Sequence, residues 1–224
     1  MSVTSALAGA LSGLSATSRQ AEILSSNVAN ATTPGYARRQ VSLGSAVLAG
    51  HGQGVKVLGV TRDVDRQLLG ERRIAQAGGG DRDARAAFLA RVEQALGTPD
   101  SAGSLAARLA AFDQALVEAA GRPDSQARLN GIASTAKSLV AGLAAATRDI
   151  QTARATADRQ ISDEVGKLNS TLAQLQELNV ELRSFTGAGR DISALLDKRQ
   201  QLVDQISSIV PVREIPRDLN QIAL

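Results

Sequence analysis

The chain of 224 residues contains no cysteine and no tryptophan. Without cysteine there are no disulfides, thiolate nucleophiles, cysteine–zinc sites or iron–sulfur clusters. Histidine occurs once, as His51, so a histidine-rich metal site cannot be built within one chain. A catalytic triad would have to use that same residue. It stands in the glycine-rich stretch Gly50-His51-Gly52-Gln53-Gly54, where a solvated loop residue is the expectation. Aromatic residues are equally scarce: Tyr36, Phe88, Phe112 and Phe185 are the whole set. A rounded core of this length ordinarily draws much of its buried area from rings. Here the apolar content is Ala, Leu, Ile and Val, which suits helices packed closely side by side. No apolar run reaches the roughly 18 residues of a membrane-spanning helix, so no membrane insertion is expected.

A strong excess of either charge is also lacking. The formal net charge is +3, and the sequence pI of about 9.8 reflects arginines around neutrality. Residues 1–60 hold Arg19, Arg38, Arg39 and Lys56 against Glu22 alone; the rest of the chain balances. A nucleic-acid binder would show a dense basic stripe with stacking aromatics, and neither is present. Val3 to Ala16 is apolar enough to imitate a signal-peptide core, but no basic residue precedes Arg19. It reads as mature sequence, either cytoplasmic or exported without a cleaved signal. Acidic pairs such as Asp163-Glu164 are adjacent and do not share a helix face. No catalytic constellation converges, so no enzyme activity, cofactor or metal site is expected.

The hydrophobic pattern is overwhelmingly helical. Leu7, Leu11, Leu14, Ser18, Ala21, Ser25 and Val28 step by four and three, a heptad seam over residues 3–30. Only Arg19 and Glu22 carry charge before Arg38, so this helix has no obvious solvent side. Such a helix is marginal alone and is expected to order among other chains, with Leu7, Leu11, Leu14, Ala21, Leu24 and Val28 as subunit-packing positions. Pro34 and Gly35 stop it. Val41-Ser42-Leu43 and Val55 to Val60 alternate as short strands joined by the glycine-rich stretch, which predicts a small hairpin or extended crossover.

Helices follow over about 64–96, with Gly78-Gly79-Gly80 as a weak point, and over 104–120. The longest runs from Leu129 through Leu182 to Phe185 in steps of three and four, a rod of about 90 Å at ~1.5 Å per residue. A return helix carries Ile192, Leu195, Leu196, Leu202, Val203 and Ile206. The fold class is therefore mostly α: an elongated helical bundle or coiled coil with an N-terminal heptad helix and a small hairpin. The organisation expected is 1–35 heptad helix, 36–62 extended linker, 63–210 helical bundle, and 211–224 the start of a strand leading into a domain beyond this sequence. Gln221-Ile222-Ala223-Leu224 reads as the opening of something further, so a fragment is expected.

The most informative string is Ser25-Ser26-Asn27-Val28-Ala29-Asn30-Ala31-Thr32-Thr33-Pro34-Gly35-Tyr36-Ala37-Arg38-Arg39. It resembles the N-terminal signature of the bacterial flagellar axial proteins (rod, hook and hook-associated). There a Leu/Ala/Ser-rich heptad helix ends in Asn-x-x-Asn, followed by Pro-Gly-Tyr and a basic residue. The matching positions are Asn27, Asn30, Pro34, Gly35, Tyr36 and Arg38. The asparagine amides can bond carbonyls freed at a helix end, Tyr36 offers a ring and a hydroxyl, and Arg38 can reach acidic groups or carbonyls of a neighbour.

A second string, Leu195 to Val210, resembles the first hook–filament junction family within that group, with Leu195, Leu196, Asp197, Arg199, Leu202 and Val203 as markers. Locally, Asp197, Lys198 and Arg199 read as a solvated helix face. Rod and hook proteins lack the long bundle that precedes this string. The resemblance departs in the extra glycines at 78–80 and in the absent outer domain and C-terminal heptad helix.

The resemblance implies a structural subunit of the extracellular flagellum. Copies would form a helical ring between hook protein and the second hook–filament junction protein. The first helix would lie in the inner tube, and the bundle in its outer wall. Export would be unfolded, through the type III apparatus, with a chaperone on a C-terminal part absent here. The alternatives are another axial subunit, of rod or hook, or a cytoplasmic coiled-coil interaction module, which would leave the Asn27–Arg38 string without a cause.

Overall fold

A computed structural model describes residues 3–48 and 51–224. In chain order these form α1 (Val3–Ala29), β1 (Arg39–Leu48), β2 (His51–Arg62), α2 (Arg66–Leu96), α3 (Leu105–Ala120), α4 (Gln126–Gly187), α5 (Ser193–Ser207), β3 (Ile215–Pro216), a 3-10 turn (Asp218–Asn220) and β4 (Ile222–Ala223). The mostly α class read from the sequence holds, including one hairpin and a helix of 62 residues. Gly78-Gly79-Gly80 does not end α2, which runs through it. Contacts group the chain into two units, Met1–Gly78 with Lys167–Leu224, and Gly79–Gly166.

In the first unit, α1 lies on the hairpin. β1 and β2 are antiparallel, pairing Arg39 with Arg62, Val41 with Val60 and Ser45 with Val55, with irregularities after Ser42 and Ser45. Both strands are longer than the alternating pattern indicated. The glycine-rich stretch, expected as their connector, lies largely inside β2. The reason is a close approach to α1. Gly54 has φ +94°, and a Cβ there would stand 2.1 Å from Ser12 Oγ and 3.0 Å from Gly9 Cα. The Ser12 hydroxyl accepts from Val55 N (3.1 Å) and donates to Gly9 O (2.8 Å). Glycine here serves backbone-to-helix contact as well as conformational freedom. The backbone of His51 opens β2, which corrects its assignment to a loop; its side chain lies outside the described residues.

Within this single chain α1 has two distinct faces. Ala16 and Ile23 are buried, whereas Leu7, Leu11, Leu14, Leu24 and Val28 are 58–71% exposed.

The core of this unit lies elsewhere. Leu175, Leu178 and Leu182 of α4 pack with Leu202, Val203 and Ile206 of α5 and with Ile222 of β4. Ile192, Leu195, Leu196, Val210 and Val212 close its margin. The expected inner face of the return helix is thus the face that is covered. Burying each such side chain is worth about 1.5–3 kcal/mol. The tail folds back on this core. Ile215-Pro216 pairs with Ile222-Ala223 around a turn in which Leu219 and Asn220 take positive φ.

At the start of α5, Asp191 Oδ1 accepts from Ser193 N (2.9 Å), and Oδ2 lies 3.6 Å from Arg19 of α1. Burial pushes the Asp191 carboxyl up, but hydrogen bonds from Ser193 and the charges of Arg39 and Arg19 outweigh it and hold it below 3.8. Its contribution is therefore full above that pH and is lost as pH falls below it.

In the second unit the buried apolar residues among those described are alanines: Ala119, Ala146 and Ala153. Helices approach closely over small side chains; a Cβ on Gly142 would meet Arg108 Cδ at 2.7 Å. Ser104 caps α3, its hydroxyl accepting from Ala107 N (3.1 Å). Gly97 ends α2 at φ +74°, with its N–H on Glu93 O (2.8 Å).

Because Leu182 is fully buried and Leu14 is 68% exposed, Leu182→Ala should cost about 2–5 kcal/mol in urea denaturation. Leu14→Ala should stay within about 0.5 kcal/mol. Equal costs would contradict this placement of the core.

Candidate functional site

The site is the corner where α1 ends and the hairpin begins. Asn30 Nδ2 donates to Ser26 O (2.9 Å), a carbonyl that is not freed at the helix end but also accepts from Asn30 N (3.1 Å), and its Oδ1 accepts from the Thr33 hydroxyl (3.3 Å). Asn27 does something else. Its Nδ2 donates to Arg39 O (2.9 Å), and its Oδ1 accepts from Arg39 N (2.9 Å) and from Tyr36 OH (2.8 Å). The amide thereby satisfies both backbone groups of one strand residue, as a neighbouring strand would. Gly35, at φ +80°, faces Gln201; a Cβ would lie 2.4 Å from Gln201 Cγ. Gln201 Nε2 donates to Pro34 O (2.7 Å).

Arg38 is exposed and contributes its carbonyl, which accepts from Asp63 N (2.9 Å). The residue engaged with an acidic group is Arg39. Its guanidinium lies over the Tyr36 ring, 4.8 Å from the centroid, and its Nη2 is 2.5 Å from Asp197 Oδ2. Arg62 is the register partner of Arg39, so both side chains leave the same face of the hairpin. Arg62 Nε donates to Asp197 Oδ1 (2.9 Å), with Nη2 2.6 Å from the same oxygen. Ala37 N also donates to Oδ1 (3.2 Å). Asp197 is buried, so its reading as part of a solvated face is wrong. One carboxylate on α5 ties two guanidinium groups and the backbone of the N-terminal corner.

A second charge cluster adjoins it. Arg73 of α2, 3% exposed, is bound by Asp204 (2.7 Å) and by Glu214, and Arg72 reaches Asp204 at 2.6 Å. Arg73 was not singled out from sequence, where an arginine on an arginine-rich helix carries no distinguishing mark. Asn179 was missed too. Its side chain donates to Ile222 O (3.0 Å) and accepts from Ile222 N (3.2 Å). A signal existed: an asparagine between Leu178 and Leu182 interrupts an apolar face.

Of the other markers, Leu202 and Val203 are core, Leu195 and Leu196 border it, Lys198 is exposed, and Arg199 Nη1 donates to Asn220 O (2.6 Å). The described hydrogen bonds and ion pairs of Asn27, Tyr36, Arg39, Arg62 and Asp197 join the helix end, the hairpin and α5 to one another. No described helix is long and apolar enough to cross a membrane.

Residues 7–36, which hold most of α1 and the turn into this corner, match the family described as flagella basal body rod protein. Residues 89–224 match the flagellar hook-associated protein FlgK helical domain; the chain belongs to that family. It is 26% identical over 223 residues to "Flagellar hook-associated protein 1" of Escherichia coli (strain K12), covering 96% of this chain and 40% of the relative. The namesake from Salmonella typhimurium is 27% identical over 216 residues, covering 93% and 39%. That from Bacillus subtilis (strain 168) is 27% identical over 212 residues, covering 89% and 42%. The chain thus spans about two-fifths of the length of these relatives.

Removing the Asp197 charge leaves two largely buried guanidinium groups without a counter-ion. Asp197→Asn should cost about 3 kcal/mol, whereas Arg38→Ala should change stability by less than about 0.5 kcal/mol. Both are read by urea denaturation; comparable effects would mean the corner is not held by this charge.

Proposed function

We propose that the chain is a structural subunit of the bacterial flagellum that forms part of the junction between hook and filament. The carrying observation is the division of labour on α1. One face is anchored to its own hairpin, while Leu7, Leu11, Leu14, Leu24 and Val28 stand exposed on a helix with almost no charge. Such a surface fits contact with other chains better than contact with water. The family and the names of the relatives support the junction role.

In this reading residues 1–35 form the helix of an inner tube and 36–62 a hairpin linker. Residues 63–210 supply the surrounding helical wall, and 211–224 lead outward. The partners are further copies in a helical ring, the hook protein and the second junction protein. Export proceeds through the type III apparatus, assisted by a chaperone. The competing reading, a rod or hook subunit, draws on the match of residues 7–36 alone; the match of 89–224 to the hook-associated helical domain favours the junction.

Leu11→Asp or Leu14→Asp should abolish complementation of motility in a strain lacking the protein, while the helical circular dichroism of the isolated chain is unchanged. Normal filaments on either variant would remove α1 as an assembly contact. In the isolated chain, amides of residues 5–28 should also exchange faster than those of 175–206, because α1 buries few large side chains. Equal protection of the two segments would show that α1 needs no neighbours to be stable.

A further inference from the structure

The first unit carries a cleft of about 430 Å³ between the start of α2, α5 and the C-terminal hairpin. Arg66, Arg199, Arg213 and Arg217 line it, while its apolar wall includes Leu69, Ile74, Val212 and Ile222. Its acids are Glu71 and Glu214. Glu214 is already engaged by Arg73, and Glu71 accepts from Gln67 (3.0 Å). Among the described residues, no carboxylate lies within ion-pair distance of those four arginines.

Arg199 is the most constrained of them. It is half-buried, and it donates to the neutral carbonyl of Asn220. Burial pulls its pKa down; Glu214 favours its charge, and Arg62, Arg66 and Arg73 oppose it. A guanidinium in such surroundings gains from an added carboxylate, which it can take bidentately.

We propose that this cleft is a docking groove for an acidic segment of a partner chain, its carboxylates taken by Arg66, Arg199, Arg213 and Arg217 and an intervening apolar side chain by Leu69, Ile74, Val212 and Ile222. Two features favour a peptide segment over a small anion. The cations are dispersed over two helices and the tail instead of converging on one point. The wall between them is apolar, a surface that a bare anion leaves uncovered. The groove does not involve the exposed face of α1, so this inference stands or falls separately from the junction role.

The test is fluorescence anisotropy of the 224-residue chain titrated against a fluorescein-labelled hexapeptide alternating glutamate and leucine. Saturable, salt-sensitive binding is expected. It should weaken about tenfold in R213Q/R217Q, and likewise in R199Q. The double variant alters two exposed side chains and should keep its circular dichroism and urea midpoint, which separates lost binding from lost folding. No saturation up to about 1 mM peptide overturns the proposal, as does undiminished binding by the double variant. Equal binding of a lysine–leucine hexapeptide removes the charge argument. If a glutamate–serine hexapeptide or inorganic tripolyphosphate binds as well as the glutamate–leucine peptide, the cleft is a general anion site and the segment proposal fails.

Discussion

Asp197 carries one negative charge and faces two guanidinium groups and a backbone N–H, so the node is electrostatically under-supplied with anion. At the ion-pair distances of 2.5 and 2.6 Å, attraction in a partly desolvated setting outweighs the repulsion between Arg39 and Arg62, which the carboxylate separates. The geometry rests on hairpin register. Arg39 and Arg62 are cross-strand partners, so their side chains arrive side by side on one face. A slip of one residue in either strand would send one guanidinium to the opposite face. The same charge that joins α5 to the hairpin therefore selects that register. Arg39 Nε remains buried without an acceptor, a cost borne because the other end of the guanidinium reaches Asp197.

From this node the order propagates by side-chain amides. Asn27 takes both backbone groups of Arg39, fixing the end of α1 to the first residue of β1. Asn179 takes both backbone groups of Ile222, fixing β4 to α4. In each case a helix acts as the missing neighbour of an edge strand, and an asparagine is short enough to do so without leaving its own helix. Two strands that would otherwise present open edges are tied down at single residues. The C-terminal hairpin reaches α4 through this device, whereas the α1 corner reaches α5 through Asp197 and Gln201.

The helices were legible because three-and-four spacing survives in α1, α4 and α5, and the stops at Pro34, Gly97 and Gly187 are strong local signals. The hairpin was legible in kind but not in extent: Gly54 reads as a turn residue, and nothing local says that a helix passes over it. The corner residues were found, yet the surroundings of Asp197 were misread. Arg38 and Arg39 are adjacent and chemically identical, and only the pleat decides which one faces α5. Asp197 looks like an exposed residue of a charged helix face because its two partners lie more than 130 positions away in sequence. Pairings of that span leave no periodic trace. Arg73 and its acids were hidden for the same reason.

The two faces of α1 bear on how such a chain could remain unassembled. Its intramolecular hold includes Ala16 and Ile23, the Ser12 crossing, the Asn27 clamp and the Arg19–Asp191 ion pair, with few large apolar side chains among them. Six large apolar residues, Val3, Leu7, Leu11, Leu14, Leu24 and Val28, are left outside them. Covering one such side chain is worth about 1.5–3 kcal/mol, so a neighbour that covered several would add several such contributions. The balance places α1 near the point where its order depends on what surrounds it, while the Asp197 node and the α4–α5 core keep the rest of the unit folded. An exposed seam of this kind needs no charged residue to direct it, since a helical neighbour with the same spacing is sufficient. Introducing charge there would stabilise the solvated helix at the expense of the contact, which explains why a segment of nearly thirty residues can do without more than Arg19 and Glu22.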